Sequence, residues 1–323
     1  MATNTLHYQS LIKSELQDVE SLLLTPHKDI PDVVQNAIHA VILGGGKRIR
    51  PALAILSAHL CGVQPATITP LAAAVELLHT ATLIHDDLID EATTRRGVET
   101  LNTHWPPNAA VLAGDLVFSW AAQLAARAGN PRLMQRFAET LSLICAGELN
   151  QMFQGRGHVP TPEIYYHRVL AKTASLFIIA TESAPILAQC AEAEAQRLAR
   201  FGELLGVSFQ IADDVLDFMG DAATLGKPVG SDLRPGLITL PILLYMQSRP
   251  EDGRILALLR DPTDTLLVDA VLADLRQSDA AEQAMAIAGG YIQEATEILH
   301  TYPPTPHRDA LEEIATFAVR RRY

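Results

Sequence analysis

Apolar residues recur three and four positions apart along almost the whole chain, a period that only helices satisfy. It runs through 11–24, 33–43, 52–60, 71–89 and 109–126, and resumes across 133–152, 164–187, 191–218, 237–246, 281–299 and 310–319. The breaks fall on Thr25-Pro26, Gly44-Gly45-Gly46, Pro106-Pro107, Gly129-Asn130-Pro131, Gly155-Arg156-Gly157 and Pro303-Pro304, residues that end helices or turn the chain. Alternating patterns bounded by hairpin turns are missing. The run 238–243 has strand propensity but nothing nearby to pair with. No Ser/Gly-rich linker or charge block marks a boundary, so the expectation is one all-α domain over 1–323, a bundle of ten or more helices.

With 323 residues, 48% hydrophobic and 19% charged, the chain is neither a disordered polymer nor a disulfide-held miniprotein. Twenty-five Lys and Arg against 37 Asp and Glu give a net charge of −12, which argues against nucleic acid as a partner. Cys61, Cys145 and Cys190 are odd in number and widely spaced. They predict no disulfide framework or zinc site and suit a reducing, cytoplasmic setting. The first 24 residues lack a basic segment followed by an apolar run, so no signal peptide is expected. No uninterrupted stretch of about 18 apolar residues predicts a membrane span.

Two helical segments, 71–89 and 191–218, are apolar around most of their circumference, which places them centrally. Each ends in carboxylates, Asp86-Asp87-Leu88-Ile89-Asp90 and Asp213-Asp214-Val215-Leu216-Asp217. On a helix the first and last of each cluster lie one turn apart on one face. Like charges at that spacing repel, and burying them unpaired costs far more or forces protonation. Cations relieve both. Oxygen donors with no Cys or His among them suit a hard ion, and Mg²⁺ is favoured because it takes one or two carboxylates plus water and substrate phosphates. The duplication counts against solvated helix ends: from 74 to 85 the only charged side chain is Glu76, and from 204 to 212 there is none.

Basic residues accompany the acidic ones. Lys47 and Arg50 follow the triple glycine, where backbone can approach a ligand and the two cations can clamp a phosphate. Arg95 and Arg96 come five and six residues after Asp90. His79 precedes Asp86 by seven residues, about two turns, and shares its face.

With these residues in view, the chain resembles the all-trans isoprenyl (polyprenyl) diphosphate synthases, long-chain branch. GGGKRIRP, ELLHTATLIHDDLIDEATTRRG, AGDLVF, KTASLF, FQIADDVLDF and LGKPVGSDL look like family segments in family order, nearly end to end. The resemblance implies the all-α isoprenoid synthase type I fold, with the two aspartate motifs facing each other across the mouth of a central cavity. It implies three Mg²⁺, with Asp86, Asp90 and Asp213 as ligands and Asp87, Asp214 and Asp217 supporting them. Arg95, Lys172, Thr173, Gln210 and Lys227 would contact the diphosphate of an allylic substrate. Lys47, Arg50, His79 and Arg96 would bind that of isopentenyl diphosphate. The implied reaction is ionisation of the allylic diphosphate, attack by the alkene and loss of a proton, in a homodimer with at most transient membrane contact at product release. One departure stands out: where many members read GK-x-TLP, this chain has Gly236-Leu237-Ile238-Thr239-Leu240-Pro241, and Leu237 cannot contact a phosphate electrostatically. Class I terpene cyclases share the fold, but they need no site for isopentenyl diphosphate. Non-catalytic subunits carry degraded aspartate motifs, and both are intact here.

Residues four and five before the first motif help set product length in this family. Here they are Thr82 and Ala81, small, with no insertion between Asp87 and Asp90. That points to a product of C30 or longer, centred near C40, rather than C15; C20 is the alternative, as is service as the catalytic half of a heterodimer. Thr82 lies about 40° from Asp86 on a helical wheel and can line a tunnel below it, whereas Ala81, about 140° away, owes its role to the resemblance. Phe118 and Trp120, after Gly114-Asp115, are candidates to cap the cavity deeper down. Ala81→Phe is expected to shorten the product as sized by mass spectrometry; an unchanged distribution would remove the argument from these positions.

Overall fold

The computed structural model describes residues 7–44, 46–95, 98–153, 159–220, 229–261 and 263–320. The helices are α1 (His7–Leu11), α2 (Lys13–Leu23), α3 (Asp32–Leu43), α4 (Ile49–Leu60), α5 (Pro65–Ile89), α6 (Leu101–His104), α7 (Pro107–Ala126), α8 (Pro131–Phe153), α9 (Pro162–Val169), α10 (Ser175–Leu187), α11 (Glu192–Met219), α12 (Leu240–Ser248), α13 (Arg254–Arg260), α14 (Thr265–Gln277), α15 (Ala280–Leu299) and α16 (Pro306–Val319). A single π turn, Leu170–Ala174, joins α9 to α10. The protein is all-α, apart from a hairpin of two residues a side, β1 (Thr94–Arg95) and β2 (Val98–Glu99), antiparallel with Thr94 opposite Glu99.

Every helical run read from periodicity forms a helix. The strand-prone run becomes helical from Leu240, because Pro241 in the first turn suits a helix start and cannot donate to a sheet. Helices α13 and α14 go beyond the sequence reading. The start of α14 carried a legible signal: Asp264 accepts a bond from the Leu267 amide at 3.0 Å, an N-cap.

The chain divides into two compact units. The first comprises Met1–Leu141, Leu176–Gly202 and Ile298–Ile314. Its centre is α5, buried along nearly its whole length and packed against α7, α4 and α2. Ala72, Ala73, Ala74 and Ala81 on α5, and Ala110, Ala113, Gly114 and Ala121 on α7, are buried, and side chains this small allow helices to pack closely. Gly114 marks one tight point, since a Cβ there would lie 2.2 Å from the His85 ring.

The second unit comprises Ser142–Ser175, Glu203–Glu297 and Ala315–Tyr323. Its core joins Val207, Ile211, Val215 and Phe218 of α11 to Tyr165, Ile238, Leu243, Ile255, Val271 and Ala284. Two glycines set close approaches to the π turn: a Cβ on Gly206 would lie 2.5 Å from Ala174 Cα, and one on Gly147 2.6 Å from Ala171 Cβ.

Three helical stretches, Pro65–Ile89, Pro107–Ala126 and Pro162–Leu187, are long and apolar enough to cross a membrane by length and composition alone. Uninterrupted apolarity was a stricter test than these helices require, so composition does not exclude a span. Burial gives another reason for their apolar character: 72% of the window in the first and 83% in the third is packed inside the protein, against 44% in Pro107–Ala126.

Gly206→Ala is expected to destabilise the fold by about 1–3 kcal/mol through overpacking against backbone. Gly289, whose added Cβ would meet nothing within 4 Å, is the control: Gly289→Ala in the middle of α15 is expected to stabilise by roughly 0.5–1 kcal/mol. Thermal unfolding followed by circular dichroism reads both, and equal effects would refute the packing assignment.

Candidate active site

The first unit carries one acidic cluster at the end of α5. Asp90 is the C-cap, its amide bonded to the Asp86 carbonyl at 2.8 Å, and Glu91 then takes a left-handed φ of 51° to reverse the chain. The reversal brings β1 back alongside, and Arg95 Nε donates to Asp87 Oδ1 at 2.6 Å. Asp87 is buried. Burial raises its pKa, Arg95 opposes that rise, and the charges of Asp86 and Asp90 add to it. The three aspartates are thereby sorted. Asp87 points into protein and is paired, Asp86 is half-buried and Asp90 exposed.

His85, immediately before the motif, has a role the sequence reading did not assign. Its ring occupies the space left by the missing side chain of Gly114, with Nε2 3.1 Å from the Val111 carbonyl and 3.6 Å from Asp115 Oδ1. That contact ties the acidic end of α5 to α7. Phe118 stands beside the same ring, centroids 5.3 Å apart. Trp120 is buried and stacks on His27, with centroids 3.8 Å apart and planes 3° from parallel. Ala81 is fully buried, and half-buried Thr82 donates its hydroxyl to the His79 carbonyl at 2.7 Å.

Of the cations expected near this cluster, Lys47 is exposed and Arg50 half-buried, its guanidinium 5.1 Å from the centre of the Phe177 ring. His79 is half-buried on α5. Arg96 lies outside the described residues.

In the second unit, α11 presents its aspartates in the same sorted way. Asp213 is exposed, while Asp214 and Asp217 are buried. Both Asp214 oxygens are taken: the Tyr165 hydroxyl donates to Oδ2 at 2.7 Å and Gln210 Nε2 to Oδ1 at 2.8 Å. Gln210 in turn accepts from the Thr173 hydroxyl at 2.6 Å. Burial pushes the Asp214 carboxyl well above the usual carboxylate range. The charge of Asp232 pushes the same way, and Gln210, Tyr165 and Arg168 pull it back. Asp217 holds the segment that returns to α12: Ser231 Oγ donates to Oδ1 at 2.6 Å and the Asp232 amide to Oδ2 at 3.1 Å.

Lys172 and Thr173 sit on the π turn, where the extra residue per turn changes the direction of side chains. Lys172 Nζ is 2.7 Å from Glu148 Oε1. Lys227 lies outside the described residues. Leu237 is half-buried. Its neighbour Ile238 offers its carbonyl to Arg168 Nη2 at 2.8 Å, and Arg168 also lies 5.6 Å from the Tyr165 ring centre. Arg234, a cation close to Leu237 in sequence, donates to Asp269 at 2.9 Å and to the Val229 carbonyl at 3.2 Å. Tyr165 and Asp232 were missed at the sequence level. Tyr165 is 49 residues from its carboxylate partner, and only the fold brings it there.

Among the described residues no three His, Cys, Asp or Glu side chains converge as a closed metal cage. The accessible carboxylates, Asp86 with Asp90 on α5 and Asp213 on α11, offer hard oxygen donors singly or in pairs. That donor set fits a cation that completes its shell with water and phosphate oxygens, as Mg²⁺ does.

Against known proteins, the polyprenyl synthetase family pattern matches residues 31–275. The chain is 33% identical to octaprenyl diphosphate synthase of Haemophilus influenzae over 98% of this chain and 96% of that one. It is 35% identical to heptaprenyl diphosphate synthase component 2 of Geobacillus stearothermophilus over 89% of each. The fold superposes on the crystal structure of a polyprenyl synthase from Caulobacter crescentus complexed with calcium and isoprenyl diphosphate, with a TM-score of 0.89, 32% identity, and coverage of 98% of this chain and 97% of that one. The chain belongs to the polyprenyl synthetase family.

Proposed function

We propose that the protein condenses isopentenyl diphosphate with an allylic diphosphate, repeatedly, to make an all-trans polyprenyl diphosphate of C30 or longer. The observation that carries this reading is the sorting of the aspartates. In each motif at least one carboxylate is committed to protein donors and at least one is accessible. The accessible ones, Asp86, Asp90 and Asp213, would hold Mg²⁺, three ions in all. Bound there, Mg²⁺ would neutralise the charge that gathers on the diphosphate as the allylic carbon–oxygen bond breaks.

The chain's own residues do the rest. Lys172, Thr173 and Gln210 orient the allylic diphosphate, joined by Arg95 and Lys227. Lys47, Arg50, His79 and Arg96 seat isopentenyl diphosphate so that its alkene meets the carbocation. Holding two substrates in register makes the encounter effectively unimolecular. The apolar walls exclude the water that would quench the cation. No nucleophilic Ser or Cys is required. Ala81 is small, but it is fully buried against protein, so its part in setting product length rests on the resemblance alone. In this reading residues 1–323 are one catalytic domain, in the cytoplasm.

A homodimer suits the surface. In the first unit Val111 and Leu112 on α7 are exposed, and in the second Leu149, Met152 and Phe153 on α8, Phe153 at 83%; exposed apolar side chains of this kind are available to a partner copy. A second reading, the catalytic half of a heterodimer, is favoured by the likeness to a protein named as component 2 of a synthase.

The test is incubation of the purified chain with Mg²⁺, farnesyl diphosphate and labelled isopentenyl diphosphate, with products sized by mass spectrometry. A ladder ending at C30 or above is expected. A stop at C20 would overturn the chain length, and no elongation from any allylic primer would overturn autonomous synthesis. Chelating the metal is expected to abolish turnover and restored Mg²⁺ to recover it. Asp86→Ala and Asp213→Ala should each lower kcat at least about a thousand-fold, roughly 4 kcal/mol of barrier. Activity that survives chelation would refute the metal assignment.

A further inference from the structure

The entry into α4, which carries Lys47 and Arg50, is held by residues that have no role in binding either diphosphate. Arg48, between them, adopts a left-handed φ of 52° and ψ of 40° at the start of α4. A side chain with a Cβ resists that conformation, and it persists where surrounding contacts over-determine it. Here they do. The Arg48 side chain is only 9% exposed. Its Nη1 donates to Glu76 Oε1 at 2.9 Å, its Nη2 to the Ile42 carbonyl at 2.8 Å, and its Nε lies 3.8 Å from Glu20 Oε1. Glu76 is itself buried, and it is the single charged side chain in the apolar stretch of α5 before the aspartates.

The pair has a direction as well as a strength. Glu76 lies three residues before His79, on the neighbouring position of the same helix face. The Arg48–Glu76 pair therefore bolts the loop bearing Lys47 and Arg50 to the stretch of α5 bearing His79. A second fastening acts on the adjacent peptide. The hydroxyl of Tyr8, a fully buried side chain, donates to the Lys47 carbonyl at 2.6 Å. Tyr8 is in turn placed from the other end of the chain. Glu313 of α16 accepts from the amides of His7 at 2.9 Å and Tyr8 at 3.1 Å. The backbone between the exposed Lys47 and the half-buried Arg50 is thus pinned on both sides.

We propose that Arg48, Glu76 and Tyr8 are positioning residues for isopentenyl diphosphate: they set the spacing of Lys47 and Arg50 against His79 and touch no substrate themselves. The inference rests on the assignment of Lys47, Arg50 and His79 to isopentenyl diphosphate. A buried bidentate-capable guanidinium fixes both distance and angle, which an unanchored backbone would not. Loosening it should weaken the capture of one substrate and leave the other diphosphate site unaffected.

The experiment is steady-state kinetics with each substrate varied in turn, alongside thermal unfolding of each variant. Tyr8→Phe removes one oxygen and the bond to Lys47. It is expected to raise KM for isopentenyl diphosphate about five-fold, with KM for the allylic substrate, kcat and melting temperature close to wild type. Glu76→Gln is expected to raise the same KM more than ten-fold. Should that variant fail to fold, because it removes the buried countercharge of Arg48, Tyr8→Phe alone decides. An unchanged KM for isopentenyl diphosphate in Tyr8→Phe overturns the proposal, and so does a rise in both KM values in step. The wild-type assay reports separately on the underlying function: if the wild type fails to condense the two substrates, that reading falls first.

Discussion

Six carboxylates close helices α5 and α11, and the structure depends on how three of them are satisfied. A buried carboxylate is tolerated when its oxygens receive hydrogen bonds or a countercharge. Asp87 has Arg95, Asp214 has Tyr165 and Gln210, and Asp217 has Ser231 and the Asp232 amide. These bonds do more than relieve charge. Through them Asp87 sets the course of the hairpin after α5, and Asp217 sets that of the segment leading to α12. Asp214 locks Gln210, and Gln210 orients Thr173. The buried carboxylates therefore organise the polar surroundings in which their accessible neighbours, Asp86, Asp90 and Asp213, are placed.

Close packing makes that organisation rigid. At Gly114 and Gly206 a neighbouring element occupies the space that a side chain would have filled. His85 fills it at Gly114, and Ala174 approaches it at Gly206. The effect at His85 bears directly on the chemistry, because the residue precedes Asp86 in sequence. The ring of His85, seated on the next helix, adds a contact there that an ordinary helix C-terminus lacks. The π turn at Leu170–Ala174 acts in the same sense in the second unit, where it aligns Thr173 with Gln210.

The departure at Leu237 gains a context from the structure. The backbone beside it is held by Arg168, whose guanidinium reaches the Ile238 carbonyl and lies near the ring of Tyr165, the donor to Asp214. A cation from α9 therefore stands beside the backbone next to Leu237. Arg234, the nearby cation in sequence, is engaged with Asp269. Proximity along the chain was a poor guide to which positive charge stands where.

Periodicity determined the helices, since apolar spacing at three and four residues has one regular solution. The paired Asp-Asp-x-x-Asp clusters, set against apolar helices, determined the chemistry, because only cations and phosphates make such clusters useful there. Both are local properties and were legible without a fold. Tertiary structure decided which aspartate of each motif turns inward. The sequence 86-87-90 offers the same spacing whichever one finds a partner, and the partner of Asp87 arrives only when the hairpin folds back. It also supplied Tyr165, Asp232, His85 and the Arg48–Glu76 pair. Each makes its contact with residues distant in sequence, or on another helix, and distance along a chain carries no information about a bond made across it.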